Sequence, residues 1–514
     1  MLMSYCPRVP CRAMPLLPGG LSSARHLSCR ASGAAASFGK GYLGCLGQPG
    51  LGDLARPVAV PSLLGVPMVG ADAGWGHSVY VGADGSAYTL GRSSDFKNTL
   101  RHINLRSTAP GLQAVVSRLS RLLFPGDWRP QQLAPPPGDP FVHASCSPGG
   151  GTALLTASGA LYVGGANAFG QCGQRTASRD TVEHTPLRVT QGWPAPQEGI
   201  AGVSMGLEHV LAVSQGGGCF AWGRGDRGQL GLGDSAHYTA PVRLLEAEGG
   251  EDWLGLRIVA VEAGMSASAA LDDRGQLWVW GKMQSLEEGA VRGDGRLRKD
   301  QLLPRRVRFE DEWAWQGGQG GQGGSASASS QPRARADTLP EDMPGQPLAD
   351  TAPQQPAPRR VLAVTAGQAH FSLLTDDGRL WMMGLRGRGA LLDDSGQQQE
   401  VQQQGVQQQE GVGEQLLPET LVQSTPMQVL PGVMQGHSIR ALRSSLHHSY
   451  AITSEGRVFR WGWRGIVEAF DPARGLGGLQ ETRVADDSHL AEQPVPLLLD
   501  LAFGFSHGVA LIKG

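Results

Sequence analysis

The sequence predicts an all-β fold in which seven small sheets close into a ring. Three observations predict it. Glycine is abundant, with 75 glycines among 514 residues, about twice the ordinary share, and a glycine inside a helix costs about 1 kcal/mol relative to alanine. A strand–turn–strand pattern recurs along the chain. The two chain ends carry complementary halves of one more such unit.

Each repeat has the pattern of a β-hairpin. A turn glycine is followed three residues later by an aromatic residue and six residues later by a second glycine. The turn glycines are Gly85, Gly159, Gly217, Gly275, Gly378 and Gly456, and the aromatic residues are Tyr88, Tyr162, Phe220, Trp278, Trp381 and Phe459. Turn glycines can adopt the positive φ that a tight hairpin needs. Because two strands cannot bury both of their faces, we expect the units to stack side by side in a ring.

The seventh unit is divided between the two ends of the chain. Near the C-terminus, residues 502–507 repeat the lead-in that precedes the other hairpins, and the apolar segment Val509–Ile512 follows. The missing half lies near the N-terminus, where residues 38–41 match residues 222–225. Pairing between the first and last strands would remove the last open sheet edge. We therefore expect one folded domain over residues 37–514.

These motifs resemble a known repeat. The G-x-x-H lead-in, the W-G step and the run G-Q-L-G-L-G-D at residues 228–234 resemble the regulator of chromosome condensation repeat. The resemblance covers residues 38–514 apart from inserts. It implies a seven-bladed β-propeller closed by pairing of its N- and C-terminal strands. The plant ultraviolet-B photoreceptor shares this fold, but only residues 74–77 (Gly-Trp-Gly-His) approach its tryptophan motif.

The resemblance also implies a binding function. Family members include exchange factors for small GTPases, and mitochondrial members are associated with exchange activity, ribosome assembly and transcript splicing. We therefore expect a monomeric scaffold that binds a macromolecule, either a protein such as a small GTPase or an RNA or ribosomal particle. A nuclear, chromatin-associated exchange factor is the alternative.

Histidine occupies one equivalent position in five of the seven units, close to eight residues before the turn glycine. These histidines are His77, His209, His370, His448 and His507. Two interpretations remain open: they form a partner-facing surface, as the resemblance suggests, or each imidazole is buried and bonds the backbone of a neighbouring blade. A shared metal ion is not expected, because ligands must converge within about 2.1 Å of one ion.

The N-terminal segment has the composition of a targeting sequence. It is rich in arginine and serine, and its first acidic residue is Asp53. Arg- and Ser-rich segments without acidic residues are typical of organellar transit peptides. We expect residues 1–36 to be a disordered leader for the mitochondrial matrix, with the chloroplast stroma as the alternative destination. A disordered tail without a targeting role is the other interpretation.

Several inserts interrupt the repeats. Residues 97–129 are basic and carry apolar residues at helical spacing, which predicts a short amphipathic helix. Residues 316–358 and 396–416 are low in complexity and are expected to be disordered loops. A second basic stretch covers residues 292–308. Candidate contacts to RNA phosphates in the basic inserts are Arg118, Arg121, Arg296, Arg298 and Lys299, with an ordinary solvated surface as the alternative.

Sequence signals for catalysis or cofactor binding are weak. The two G-x-G-x-x-G strings at residues 39–44 and 223–228 fall in repeat turns rather than in a strand–helix unit. The seven cysteines include no C-x-x-C pair, so neither a zinc site nor a redox dithiol is indicated. The formal net charge of −2 gives no general attraction to nucleic acid or anionic membranes, and no apolar run is long enough to span a bilayer. We expect a non-catalytic scaffold without a cofactor or metal.

Overall fold

The computed structural model describes residues 32–41, 44–49, 52–91, 128–193, 198–250, 253–282, 301–309, 359–368, 370–385, 422–429, 436–445, 448–462, 467–470, 498–504 and 507–513. These ranges form strands β1 to β28, arranged in seven antiparallel four-stranded sheets, or blades. Short 3₁₀ turns lie at Pro61–Leu63, Glu248–Gly250 and Trp253–Gly255.

Six blades are built from consecutive strands, which follow one another from the inner to the outer edge. Blade 1 contains β3 (Met68–Ala73), β4 (His77–Gly82), β5 (Ala87–Gly91) and β6 (Gln131–Leu133); blade 2 contains β7 (Phe141–Cys146), β8 (Gly151–Thr156), β9 (Leu161–Asn167) and β10 (Ser178–Arg188). Blade 3 contains β11 (Ile200–Met205), β12 (His209–Ser214), β13 (Cys219–Gly223) and β14 (Tyr238–Arg243); blade 4 contains β15 (Ile258–Ala263), β16 (Ala267–Asp272), β17 (Leu277–Gly281) and β18 (Gln301–Arg306). Blade 5 contains β19 (Val361–Ala366), β20 (His370–Thr375), β21 (Leu380–Leu385) and β22 (Val422–Gln428); blade 6 contains β23 (Ile439–Ser444), β24 (His448–Thr453), β25 (Val458–Gly462) and β26 (Val467–Phe470).

Blade 7 joins the two ends of the chain. Its order from the inside is β27 (Leu498–Phe503), β28 (His507–Ile512), β1 (Ala34–Gly39) and β2 (Leu54–Ala59). β1 pairs with β28 from Ala34 opposite Ile512 to Gly39 opposite His507. The predicted closure by terminal strands is therefore confirmed. The strand begins earlier than the expected residue 37, and Gly33 already bridges to Met68 of blade 1.

The blades form a closed seven-bladed propeller. The first strand of every blade borders one central channel, and each blade contacts the next, including blade 7 with blade 1. The predicted fold class is thus confirmed. Among the described residues, no helix is long and apolar enough to cross a bilayer.

The repeat glycines lie where the hairpins turn. Gly217, between β12 and β13, has φ +92°, and Gly275, between β16 and β17, has φ +80°. The other four predicted turn glycines also have positive φ. A residue with a Cβ is strained in this region. The predicted hairpins are therefore confirmed, and the aromatic residues after these two turns, Phe220 and Trp278, are each 1% exposed.

Tryptophans in the third strands connect neighbouring blades. Trp222 of blade 3 donates from Nε1 to the carbonyl of Gln171 in blade 2, at 2.9 Å. Trp280 of blade 4 makes the same 2.9 Å bond to the carbonyl of Gln229 in blade 3. Both indoles are fully buried, and a buried indole N–H needs such a partner. The W-G and G-Q motifs of the sequence therefore form one inter-blade contact.

Several sequence predictions lie outside the described residues. They are the leader apart from its last few residues, the helical insert apart from Trp128 and Arg129, both low-complexity loops, and the candidate RNA contacts Arg118, Arg121, Arg296, Arg298 and Lys299.

Candidate partner-binding surface

The antiparallel blades give the propeller two different ends. Loops between the first and second strands, which carry the G-x-x-H motif, emerge at one end together with the loops between the third and fourth strands. We call this end the histidine face. The hairpin turns with the turn glycines emerge at the other end, beside the connections that lead into the next blade. We call this end the turn face.

The G-x-x-H motif has a steric basis. The histidine begins the second strand of its blade, and its ring folds back over the glycine three residues earlier. A Cβ at Gly206 would overlap the imidazole of His209, and a Cβ at Gly367 would overlap that of His370. The glycine therefore provides the space that the ring occupies.

Each buried histidine bonds a hydroxyl of the next blade. Nε2 lies at hydrogen-bond distance in four blades: 3.1 Å from Thr152 for His77, 3.0 Å from Ser268 for His209, 3.0 Å from Ser449 for His370 and 2.9 Å from Ser78 for His507. In every case the hydroxyl belongs to the second residue of the next blade's second strand. The bonds therefore run around the ring, from the first residue of one second strand to the second residue of the next.

Blades without this histidine have apolar neighbours at the same place. Ala267 stands in place of histidine in blade 4, and the second residue of the next blade's second strand is Phe371. Gly151 stands there in blade 2, followed by Val210 in blade 3. We call each of these contacts between the second strands of neighbouring blades a seam. Of these six seams, four are polar and pair a histidine with a hydroxyl, and two are apolar.

The hydroxyls also fix the protonation of the rings. Ser268 donates its hydroxyl proton to the carbonyl of Gln229 at 2.7 Å, so it can only accept from His209. His209 therefore carries its proton on Nε2, and its buried Nδ1 has no hydrogen-bond partner among the described residues. Burial lowers the pKa of His209 to about 3 and that of His77 to about 4. For His507, burial and the neighbouring His77 lower the pKa to about 3.

The five predicted histidines thus lie at one level of the ring, but four of them are inside it. His77, His209, His370 and His507 are at most 6% exposed, and His448 is half-buried. The contacts are those of the second sequence interpretation, burial between blades, with hydroxyls of the next blade in addition to backbone groups. His507 also approaches the backbone carbonyl of His77 at 3.2 Å, and the backbone of Gly151 in the next blade forms a hydrogen bond with His77. The four buried histidines therefore join neighbouring blades below the loops of this face.

A charged and aromatic cluster lies on the histidine face between blades 2 and 3. Arg224 donates to Glu208 at 2.6 Å and to both carboxylate oxygens of Asp226 at 2.7 and 2.6 Å. Its guanidinium lies 4.9 Å from the ring centre of Phe169, which packs edge-on against His237. We call these five residues the Arg224 cluster. Hydrogen bonds to Asp226 and Glu208 raise the pKa of Arg224, and the pKa of Asp226 is lowered in return.

The Arg224 cluster was not predicted from the sequence. The available signal was the pair of charged residues beside repeat motifs, Glu208 directly before His209 and Arg224 directly after Gly223. The contact joins two loops, and the one-dimensional pattern does not show which of them meet.

The central channel carries a second set of charges. Arg443 donates to both carboxylate oxygens of Asp500 in the next blade, at 2.9 and 3.0 Å. Asp72 accepts from the backbone N–H of Cys146 in the next blade at 2.6 Å, and burial raises the pKa of Asp72 to about 6. Glu262 and Arg440 line the same channel, which encloses ≈ 180 Å³. These contacts connect inner strands of neighbouring blades.

The described residues offer little else for chemistry. They contain no group of three or more His, Cys, Asp or Glu that could hold a metal ion. Their four cysteines are buried, and none of them forms a disulfide. Burial raises the pKa of Cys219 to about 12. A thiol in such an environment is inert rather than nucleophilic at neutral pH.

Comparison with known proteins agrees with the repeat and the fold. The sequence profile of the regulator of chromosome condensation (RCC1) repeat matches residues 216–271. The Arabidopsis thaliana ultraviolet-B receptor UVR8 is 31% identical over 180 residues, which is 35% of this chain and 37% of that protein. The Arabidopsis RCC1 domain-containing protein RUG3, mitochondrial, is 32% identical over 176 residues, 34% of this chain and 36% of that protein. The matched segments span just over a third of each relative.

A solved structure matches over nearly the whole chain. The crystal structure of Prp20p from Saccharomyces cerevisiae, described together with its binding properties to Gsp1p and histones, has a TM-score of 0.57 and 17% identity and covers 96% of this chain and 94% of Prp20p. At this identity the match concerns the fold. The profile match shows an RCC1 repeat at residues 216–271, and the seven four-stranded blades show that this repeat lies in a seven-bladed propeller with the fold of Prp20p.

Proposed function

We propose that this protein is an organellar propeller scaffold that binds a small GTPase on its histidine face and promotes nucleotide release. The observation that carries the proposal is the fixed geometry of that face. Four histidine–hydroxyl bonds hold the loops between neighbouring blades, and the Arg224 cluster presents charges that are already oriented. A surface that is ordered before binding loses less entropy on association.

An exchange factor needs such a surface and no catalytic side chain. It binds the nucleotide-free GTPase more tightly than the loaded form, and this difference in affinity expels the nucleotide. The predicted partner face is retained in this proposal, with a changed role for its histidines. His77, His209, His370 and His507 position the loops from below, and the loops and the Arg224 cluster contact the partner.

The proposed location is the mitochondrial matrix, with the chloroplast stroma as the alternative. Two findings support an organelle: the Arg- and Ser-rich segment without acidic residues before Asp53, and the similarity to RUG3, a protein named as mitochondrial. A nuclear, chromatin-associated exchange factor is the alternative function, and the fold shared with Prp20p supports it. A C-terminal fluorescent fusion should localise to the organelle. A purely nuclear signal would reject the organellar proposal.

The partner is tested by affinity purification from organelle extract, with and without ribonuclease. We expect a GTPase that remains bound after ribonuclease treatment. The purified protein should then accelerate release of a fluorescent nucleotide from it. Arg224→Ala should slow that release, while Arg188→Ala, an exposed arginine on the outer edge of blade 2, should not. Circular dichroism of both variants checks that the fold is kept, and Arg224→Lys retains the charge without the bidentate contact.

A second candidate function is support of RNA processing or ribosome assembly in the organelle. The observation that favours it is a group of exposed arginines on the turn face, away from the Arg224 cluster. In the same purification, a partner set lost on ribonuclease treatment would support this function over direct GTPase binding.

A further inference from the structure

One sector of the turn face carries several exposed arginines beside the acidic residues of the hairpin turns. In blades 1 to 6, the residue directly before the first strand lies beside the hairpin turns. Its carbonyl oxygen accepts a hydrogen bond from a backbone N–H in the turn of the same blade. These lead-in residues are Pro67, Pro140, Gly199, Arg257, Arg360 and Ser438. Among them only the lead-ins of blades 4 and 5, which are adjacent, are charged. The two charged lead-in residues therefore lie on one side of the ring.

The two lead-in arginines are oriented without being neutralised. Arg257 donates to the carbonyls of Gly216 and Gln215 in the preceding blade, at 3.3 and 3.1 Å. Arg360 donates to the carbonyl of Asp273 at 3.4 Å. A guanidinium has five N–H donors, so both side chains retain donors after these bonds. Carbonyl acceptors fix the direction of the group and leave its full charge.

Two further exposed arginines extend the patch. Arg243 ends the outer strand of blade 3 beside the turn at Gly218, and Arg274 lies in the turn of blade 4 next to the blade 5 lead-in. Among the described residues, none of these four arginines forms a salt bridge within 4.0 Å. We call them the arginine sector: Arg243, Arg257, Arg274 and Arg360. Arg305 and Arg379 lie at its margins and are paired with Glu248 and Asp377.

We infer that the arginine sector binds the phosphodiester backbone of RNA. The cations follow an arc across three blades, so they match a chain of evenly spaced negative charges better than one carboxylate. Guanidinium groups bind phosphate through two parallel N–H donors. Contacts to phosphates position an RNA without reading its sequence. The binding should therefore be strongly dependent on salt and weakly dependent on sequence.

The inference rests on the second candidate function and assigns its surface. It places RNA on the turn face and leaves the histidine face to a protein partner. The candidates from the sequence, such as Arg118 and Arg296, lie in inserts outside the described residues. The four arginines of the sector belong to the propeller itself.

The test is fluorescence anisotropy with the full chain and a fluorescein-labelled, mixed-sequence single-stranded RNA of about 20 nucleotides. The variant is Arg257→Gly with Arg360→Ser, which installs the residues that stand at the equivalent places in blades 3 and 6. The charge-retaining control is Arg257→Lys with Arg360→Lys. The placement control is Arg175→Ala with Arg227→Ala, which removes two exposed charges from the histidine face.

We expect the double variant to bind about tenfold more weakly and its plot of log K against log salt to be shallower by about 1.4, since each lost phosphate contact removes about 0.7 on single strands. Both controls should keep the wild-type slope. An unchanged slope in the double variant would overturn the assignment of this surface, even if RNA still binds. Equal competition by polyglutamate and unlabelled RNA would also overturn it, because a general acidic ligand would then suffice. The same variant should keep its nucleotide-release activity, which separates this inference from the GTPase proposal.

Discussion

Acid should unfold this protein through its buried histidines. His77, His209 and His507 are at most 4% exposed, and burial lowers their pKa values to about 4, 3 and 3. In the unfolded chain a histidine has its ordinary pKa of 6.5. Because the folded state binds these protons less readily, their stabilisation is complete above pH 6.5 and decreases as the pH falls below it.

The size of the effect follows from these pKa values. At pH 4.5 each histidine costs roughly 2–3 kcal/mol of folding free energy, because one pH unit below the unfolded pKa corresponds to about 1.4 kcal/mol. The three together cost about 8 kcal/mol. Asp72 acts in the opposite direction: its raised pKa of about 6 means that protonation favours the folded state, by about 2 kcal/mol at this pH. The net loss of about 6 kcal/mol is comparable with the entire stability of an ordinary domain.

The assay is urea unfolding followed by circular dichroism at pH 7.5, 5.5 and 4.5. The decisive variant is His209→Ala with Ser268→Phe, which copies the apolar seam formed by Ala267 and Phe371. It should lose roughly 2–3 kcal/mol less than the wild type between pH 7.5 and 4.5. An equal acid-induced loss in both proteins would refute the assignment to His209. The single variant His77→Ala repeats the test at another seam.

Three further predictions concern the architecture. A chain that starts at Gly33 should fold, while one that starts at Lys40 lacks β1 and should show a non-cooperative thermal transition by circular dichroism; equal transitions would contradict the closure. Gly206→Ala should lower the melting temperature by several degrees, equivalent to about 2 kcal/mol or more, while Gly52→Ala, where a Cβ meets open space, should not. Arg443→Ala should cost about 1–3 kcal/mol in urea unfolding, because it removes two charge-assisted hydrogen bonds from the half-buried carboxylate of Asp500; an unchanged stability would show that solvent and Arg440 compensate.

The repeat could be predicted because hairpins depend on local spacing. Turn glycines, the aromatic residue three positions later and the split seventh unit are all short-range patterns. The histidine partners were also accessible to sequence reasoning. The residue after the histidine position of the next unit is Thr or Ser at four polar seams, for example Thr152 and Ser268, and is Val210 or Phe371 where the histidine is missing.

Other features could not be read from the chain. The strand begins at Ala34, where an alanine run gives no alternation of apolar and polar residues. The Arg224 cluster and the pair of Arg443 with Asp500 join loops or strands of different blades, and neither contact recurs in the other blades as far as the structure describes them. The predictions from the sequence depended on repeated patterns, so contacts that occur only once could not be predicted.

The position of β1 between β2 and β28 has a consequence for how this protein is made. β1 is among the first strands to be synthesised, yet one of its two neighbours consists of almost the last residues of the chain. Contacts between such distant segments are slow to form, and a strand edge left unpaired can pair with other chains. The earliest strand therefore completes its pairing among the last, and until then its open edge is exposed to other chains.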